Sequence, residues 1–361
     1  MYTHVAERSP HSKRIVIVRT DRLGDVILSL PMLPLLRRRF PDSHIAMLLR
    51  KYPAELVRDN QYLDEILLYD DGERLIPFKE MLKTIRSRGF DTAVIVHPTP
   101  RLAWLMFRAG VPLRIGTGYR FYSALFNGRV FEHRKVAERH EVEYNLNLLK
   151  PLGCSVTEKP RFELVIPPAV ETRIDDLFRS LSIDRGKEII VVHPGTGNSS
   201  KEWPAEYFGR LAARLQAGRD ARIIVTGTKE EEEKVSQILR LAKGKTFSLA
   251  GRLSLKELAA VIGRADLFVS NSTGPLHIAV AVGTPVVCMF PRIRPMSAER
   301  WGPYTSRRRV LVPDRPEDCT KCAGRRDSPC ECMMSISVDE AYAAACSLLA
   351  ECRTGESVPN G

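Results

Sequence analysis

No apolar stretch in this sequence reaches the ~18 residues that a membrane-spanning helix needs. The longest candidate, residues 26–36, is cut by Pro31 and Pro34. The first twelve residues are polar and carry no apolar core of the kind a secretion signal requires. These absences lead to the expectation of a cytoplasmic chain, whose eight cysteines stay reduced as thiols or metal ligands. A low-complexity segment and a short-period repeat are also missing, which excludes fibrous and solenoid architectures. No Gly-Lys-Ser/Thr follows a glycine loop at P-loop spacing, which removes that class of nucleotide site.

What is present is ordinary globular composition, 44% hydrophobic and 27% charged, over 361 residues. That length favours two domains over one core. The formal net charge of +12 points to an anionic partner: nucleic acid, anionic lipid or a phosphorylated sugar.

Short apolar runs read as buried strands at 14–18, 44–49, 65–69 and 91–97. Helical patterns lie between them, at 26–40 (interrupted by its two prolines) and at 78–88. A second alternating series has strands at 188–193, 222–226, 246–249, 266–270 and 285–290, with helices at 204–217, 230–242 and from Ser254. Such alternation predicts α/β domains, each a parallel sheet covered by helices. Pro167-Pro168 marks the boundary. The expected division is a first domain over 1–168, a linker over 169–186 and a second domain over 187–361, which carries a Cys-rich loop (319–332) and a terminal helix.

Three polar loops follow strands, at the sheet edge where open α/β folds bind ligands. The first holds Asp21 and Asp25. Asp25 opens a helix, which accounts for it as a dipole-stabilised charge, but a carboxylate there is also well placed as a general base. The second, His193-Pro194-Gly195-Thr196-Gly197-Asn198-Ser199-Ser200-Lys201, is a plausible phosphate cradle or simply a polar loop. The third, Asn271-Ser272-Thr273-Gly274-Pro275-Leu276-His277, has hydroxyls that can cap, Pro275 in a first helical turn and Gly283 to end the helix. It presents free backbone N–H groups to an anion, or is an ordinary βα turn.

Between Arg101 and His140 basic residues alternate with aromatics, including Arg108, Arg114, Arg120, Trp104, Phe107, Tyr119 and Phe121. The pattern suits an anionic or amphipathic ligand, or core aromatics among solvated charges. Four thiols within fourteen residues, Cys319, Cys322, Cys330 and Cys332, either hold a structural zinc or belong to a loop without metal.

Taken together, Arg19-Thr20-Asp21-Arg22-Leu23-Gly24-Asp25-Val26, the 193–204 loop ending Lys201-Glu202-Trp203-Pro204, and Asn271 to His277 resemble glycosyltransferase family 9, the ADP-heptose:lipopolysaccharide heptosyltransferases of Gram-negative bacteria. The resemblance implies an α/β fold of the GT-B class: two Rossmann-like doubly wound domains facing each other across a cleft, acceptor in the first and nucleotide sugar in the second. It implies inverting, metal-independent transfer of a heptose to the inner core of lipopolysaccharide. Asp25 matches the base and Lys201 a lysine near the donor diphosphate. Thr196, Gly197, Glu231, Ser272, Thr273, Gly274, Pro275, Leu276 and His277 match donor-binding positions. Arg22, Arg101 and Arg120 would meet the acceptor. The implied partners are a nucleotide sugar, with no other cofactor, an anionic lipid-linked saccharide and the inner membrane surface as a peripheral contact; no nucleic acid is expected. Ser272 stands where the family turn usually has Asp, which opens the donor sugar to question. The alternatives are another nucleotide sugar, a protein acceptor, or a non-catalytic module binding anions or nucleic acid.

Overall fold

The computed structural model describes residues 12–156, 159–314 and 330–354. The chain forms two compact units, Met1–Val165 and Ile166–Gly361. In the first, six strands make one sheet: β1 (Arg14–Arg19), β2 (His44–Leu49), β3 (Glu65–Leu68), β4 (Thr92–Ile95), β5 (Leu113–Thr117) and β6 (Gly128–Val130). Their order is β3-β2-β1-β4-β5-β6, and every pairing is parallel. Strand β1 is central, with Ile17 opposite Met47 on one side and Val94 on the other. Ile15 to Val18 are fully buried, as a strand covered on both faces requires.

The second unit repeats the winding with β7 (Ile189–His193), β8 (Arg222–Val225), β9 (Thr246–Ser248), β10 (Leu267–Asn271), β11 (Val286–Met289) and β12 (Arg308–Leu311). The order is β12-β11-β10-β7-β8-β9, again all parallel. In each sheet the chain leaves its first strand in one direction, returns, and continues the other way. Right-handed crossovers then place helices on both faces. The strand order reverses between β1 and β4, and between β7 and β10, and these crevices are the natural ligand sites. One core of the second unit gathers Trp203, Phe208, Ile223 and Val269 with Leu348 and Leu349 of the terminal helix Val338–Thr354.

Several sequence expectations change. The 26–40 run is two helices, Leu23–Ile27 and Met32–Arg39, with Pro31 at the N-cap of the second. Residues 169–186, expected as a linker, carry the helix Pro168–Ser180, which belongs to the second unit. Strands β5, β6 and β12 were missed; each is short and carries arginine or glycine, which breaks the apolar run. Among the described residues, no helix is long and apolar enough to cross a membrane.

Candidate functional site

At the first switch point Arg19 ends β1 with its side chain 2% exposed. Its Nε lies 2.9 Å from Asp21 Oδ1, an ionic contact without hydrogen-bond alignment. Its Nη2 donates to Asp25 Oδ1 at 2.5 Å, and Nη1 reaches Glu141 Oε1 at 3.4 Å. Arg134 Nη1 donates to the same Glu141 oxygen at 2.5 Å. Asn145, one turn along the helix Glu141–Asn147, accepts from Arg134 at 3.1 Å and donates to Leu28 O at 3.0 Å. His97 follows β4 and its buried Nδ1 has no hydrogen-bond partner.

Three carboxylates therefore share two guanidiniums. Burial works against the Arg19 charge, but Asp21, Asp25 and Glu141 outweigh it and hold the guanidinium further protonated. Burial pushes Asp21 up to about 7, with Arg19 opposing and Asp25 and Glu141 adding to the rise. Burial, then the nearby Arg19, pulls His97 down. A carboxyl whose folded pKa is raised favours the folded state while protonated. Its contribution is complete below about 3.8 and is lost as pH climbs through about 7. Asp21→Asn should flatten this decline. Unfolding midpoints measured from pH 4 to 8 in both proteins should converge at the acid end and favour the variant at the alkaline end. Parallel curves would show that Asp21 is not titrating there.

At the second switch point Asn271, fully buried at the end of β10, joins two loops. Its Oδ1 accepts from Trp203 N at 2.7 Å, and its Nδ2 donates to Pro194 O at 2.7 Å. Ser199 Oγ donates to Thr196 O at 2.7 Å and to Ser272 O at 3.3 Å. Gly197 and Asn198 both take positive φ, +52° and +58°, which folds the loop back on itself. Thr196 donates from N and Oγ1 to Glu202 Oε1, at 3.2 and 2.9 Å, and Lys234 Nζ donates to the same carboxylate. The helix Gly274–Val282 starts beside them, with Thr273 at its N-cap, Pro275 in its first turn and Gly283 at its C-cap. The N-cap residue Thr273 makes no side-chain cap bond, contrary to the expectation that its hydroxyl can cap. The first N–H groups of a helix have no partner within the helix itself.

Residues 79–331 match glycosyltransferase family 9 (heptosyltransferase). The chain belongs to this family. It is similar to lipopolysaccharide heptosyltransferase 3 of Escherichia coli, with 24% identity across 74% of this chain and 80% of the relative. The solved glycosyl transferase of family 9 from Veillonella parvula DSM 2008 superposes with a TM-score of 0.81 at 24% identity, covering 94% of this chain and 97% of that one. For E. coli ADP-heptose lps heptosyltransferase II the TM-score is 0.76 at 19% identity, over 94% and 99%. These structural likenesses show the shared α/β architecture of the GT-B class.

Within this family 9 chain, Asp25 and Asp21 meet at one guanidinium. Ser199 ties Thr196 to Ser272 beside Asn271, and Gly197, Lys201, Thr273 and Gly274 belong to the same two loops. Lys201 is 2% exposed, deeper than a loop lysine is expected to lie. Leu276 is fully buried, so only its backbone can meet a ligand. Glu231 Oε2 accepts from Thr228 N at 2.9 Å, and the carboxylate lies against Gly195, where an added Cβ would stand 1.6 Å from Oε1. His277 is buried in the first turn of its helix. Arg22 is exposed at the N-cap of Leu23–Ile27, and Arg120 is exposed before a 3-10 turn. Arg101 donates to Ile76 O at 2.5 Å and lies over the Tyr69 and Phe78 rings, so packing alone explains much of it.

Cys319 and Cys322 lie outside the described residues. Cys330 is buried in the second core and Cys332 packs against it. Among the described residues no group of three His, Cys, Asp or Glu stands where it could hold a metal. Sequence reasoning missed Arg19 as a clamp, Glu141 and Asn145 as its support, His97, and Asn271 as the loop bridge. Arg19 and Asn271 stood inside the recognised motifs; the others carried no local signal.

Proposed function

We propose that this family 9 member transfers a heptose from ADP-heptose to the inner core of lipopolysaccharide, inverting the anomeric centre without a metal. What carries the reading is the pairing of unlike switch points in one chain: carboxylates on a buried arginine at the first, and, at the second, a helix start whose N-cap Thr273 makes no capping bond together with a buried lysine in the neighbouring loop. In the reaction Asp25 takes the acceptor hydroxyl proton as that oxygen bonds to the anomeric carbon. The bond from that carbon to the diphosphate breaks, and ADP departs with its electron pair. Lys201 and the N–H groups opening Gly274–Val282 stabilise the charge on the leaving diphosphate. Lys201 is held out of bulk water, where its field is least screened.

The acceptor is an anionic, lipid-linked saccharide, approached from the cytoplasmic face of the inner membrane. The basic–aromatic segment supports that partner. Phe121 is 86% exposed, Trp104 and Phe107 stack openly at 5.6 Å, and Arg108 lies over Trp104. Such amphipathic groups suit a membrane surface with negative headgroups. Ser272 favours one second reading, a different nucleotide sugar, because the carboxylate usual in the family turn is absent.

Titration with ADP-heptose and a panel of other nucleotide sugars tests the donor. Lys201→Ala should weaken ADP binding by about 1.5–3 kcal/mol, the scale of a charge-assisted hydrogen bond. Unchanged affinity would remove Lys201 from the site, and selective stabilisation by a non-heptose donor would replace ADP-heptose.

A further inference from the structure

We infer that Glu141 is a positioning residue for Asp25, acting through Arg19, and that the helix Glu141–Asn147 serves as the brace of the carboxylate site. The inference rests on the reading of Asp25 as the base. Glu141 is 122 residues from Arg19 in sequence, yet its side chain is 1% exposed and shares the Arg19 guanidinium with Asp25. A guanidinium is a planar fork, so anchoring Nη1 fixes where Nη2 points. Glu141 Oε1 lies 3.4 Å from both Nη1 and Nη2, Asn145 Oδ1 accepts from Nη1 at 3.4 Å, and Nη2 also meets Asp25.

The same helix face makes a second hold. Asn145 stands four residues after Glu141, and positions at this spacing share a face. Its Nδ2 donates to Leu28 O, at the C-cap of the helix that carries Asp25. One helix thus grips both the partner of the carboxylate and the end of its supporting turn. Buried charges are costly to keep, and pairing them is weak support for stability alone. Fixing a reacting group to a fraction of an ångström is the use that fits this arrangement.

Electrostatics gives the brace a second effect. The groups around Asp25 are Arg19 and Asp21 after β1, Arg50 after β2, His97 after β4, Arg134 ahead of the brace, and Glu141 on it. With Glu141 charged, three carboxylates face Arg19 and Arg134. Removing that charge leaves Asp25 and Asp21 less repelled and more strongly held by Arg19.

The experiment is single-turnover transfer by Glu141→Gln, Glu141→Asp and Asp25→Asn, each with a pH profile, KM for the donor and a melting curve. Glu141→Gln should lose about 10–100-fold in rate, the scale of a misplaced reacting group, with donor KM unchanged. Glu141→Asp keeps the charge, so it should recover part of the rate. A Glu141→Gln protein with wild-type rate, beside an inactive Asp25→Asn, overturns the brace. Wild-type rate in both would instead overturn Asp25 as the base. Should Glu141→Gln not fold, Arg19→Lys keeps the charge and loses the fork; normal turnover in that variant overturns the brace equally.

Discussion

Asp25→Asn should lower the transfer rate by roughly 10²–10⁴ while donor affinity holds, because an amide cannot take the acceptor proton. The competing account makes Asp25 a charge that favours its helix, worth only ~0.3–1 kcal/mol. The structure adds a third account, in which Asp25 is chiefly a counterion for Arg19. Its side chain is 15% exposed and bonded to a nearly buried guanidinium, so losing that charge can cost stability as well. The amide oxygen of Asn can still accept from Arg19, which keeps the geometry while removing the basicity. Rate and melting midpoint therefore separate the accounts: a base loses rate at nearly constant midpoint, whereas a counterion loses midpoint. The control is Asp21→Asn. Asp21 meets the same Arg19 guanidinium and is the other carboxylate at this edge that could take the proton. Transfer within a few-fold of wild type in Asp25→Asn, together with collapse in Asp21→Asn, would exchange their roles.

The sheets were legible because a strand buried on both faces leaves an unbroken apolar run, as Ile15 to Val18 and Ile189 to Val192 do. The loops at the carboxyl edges of the sheets were legible because polar turns follow those runs. The brace was not. Glu141 is one acidic residue at a helix start, and nothing within a turn of it refers to Arg19. Its meaning arises only when β1 is placed next to β4 and the later chain returns to their carboxyl edge. Lys201 illustrates the converse. Its place in a motif was readable, but its burial was not; Trp203, two residues on, is itself buried and held by Ile336, whose carbonyl accepts from the Trp203 indole at 2.9 Å. The exposed Trp104 and Phe107 went the other way. Their helix, Pro100–Arg108, buries Leu102, Ala103, Leu105 and Met106 and leaves the aromatics on its outer face. Composition alone had left both core and surface roles open.

Asn271→Ala should be the most destabilising single change at the loops proposed to hold the donor. The truncation removes both side-chain bonds at once and strands the Trp203 N–H and the Pro194 carbonyl. Each unsatisfied buried group costs about 1–3 kcal/mol, so the expected loss is about 2–6 kcal/mol. That is a large part of the usual 5–15 kcal/mol of a folded domain. The midpoint should fall by about 5–20 °C, given roughly 2–4 °C per kcal/mol for a unit of this size. Asn271→Asp refines the test. It preserves the shape and the acceptor for Trp203 N–H, but turns the donor facing Pro194 O into an acceptor and buries a charge. It should therefore be nearly as unstable as the alanine variant, although it loses almost no volume. Ser199→Ala is the counterpart: it loses bonds to Thr196 O at 2.7 Å and Ser272 O at 3.3 Å, but both are only partly buried, so water can replace them and its midpoint should fall by much less. Where Asn271→Ala folds, the 194–203 loop has lost its tie to β10, so ADP affinity should drop while the acceptor dependence of transfer stays unchanged. An alanine variant with the parental midpoint and ADP affinity would show that the two loops are held together by backbone packing alone.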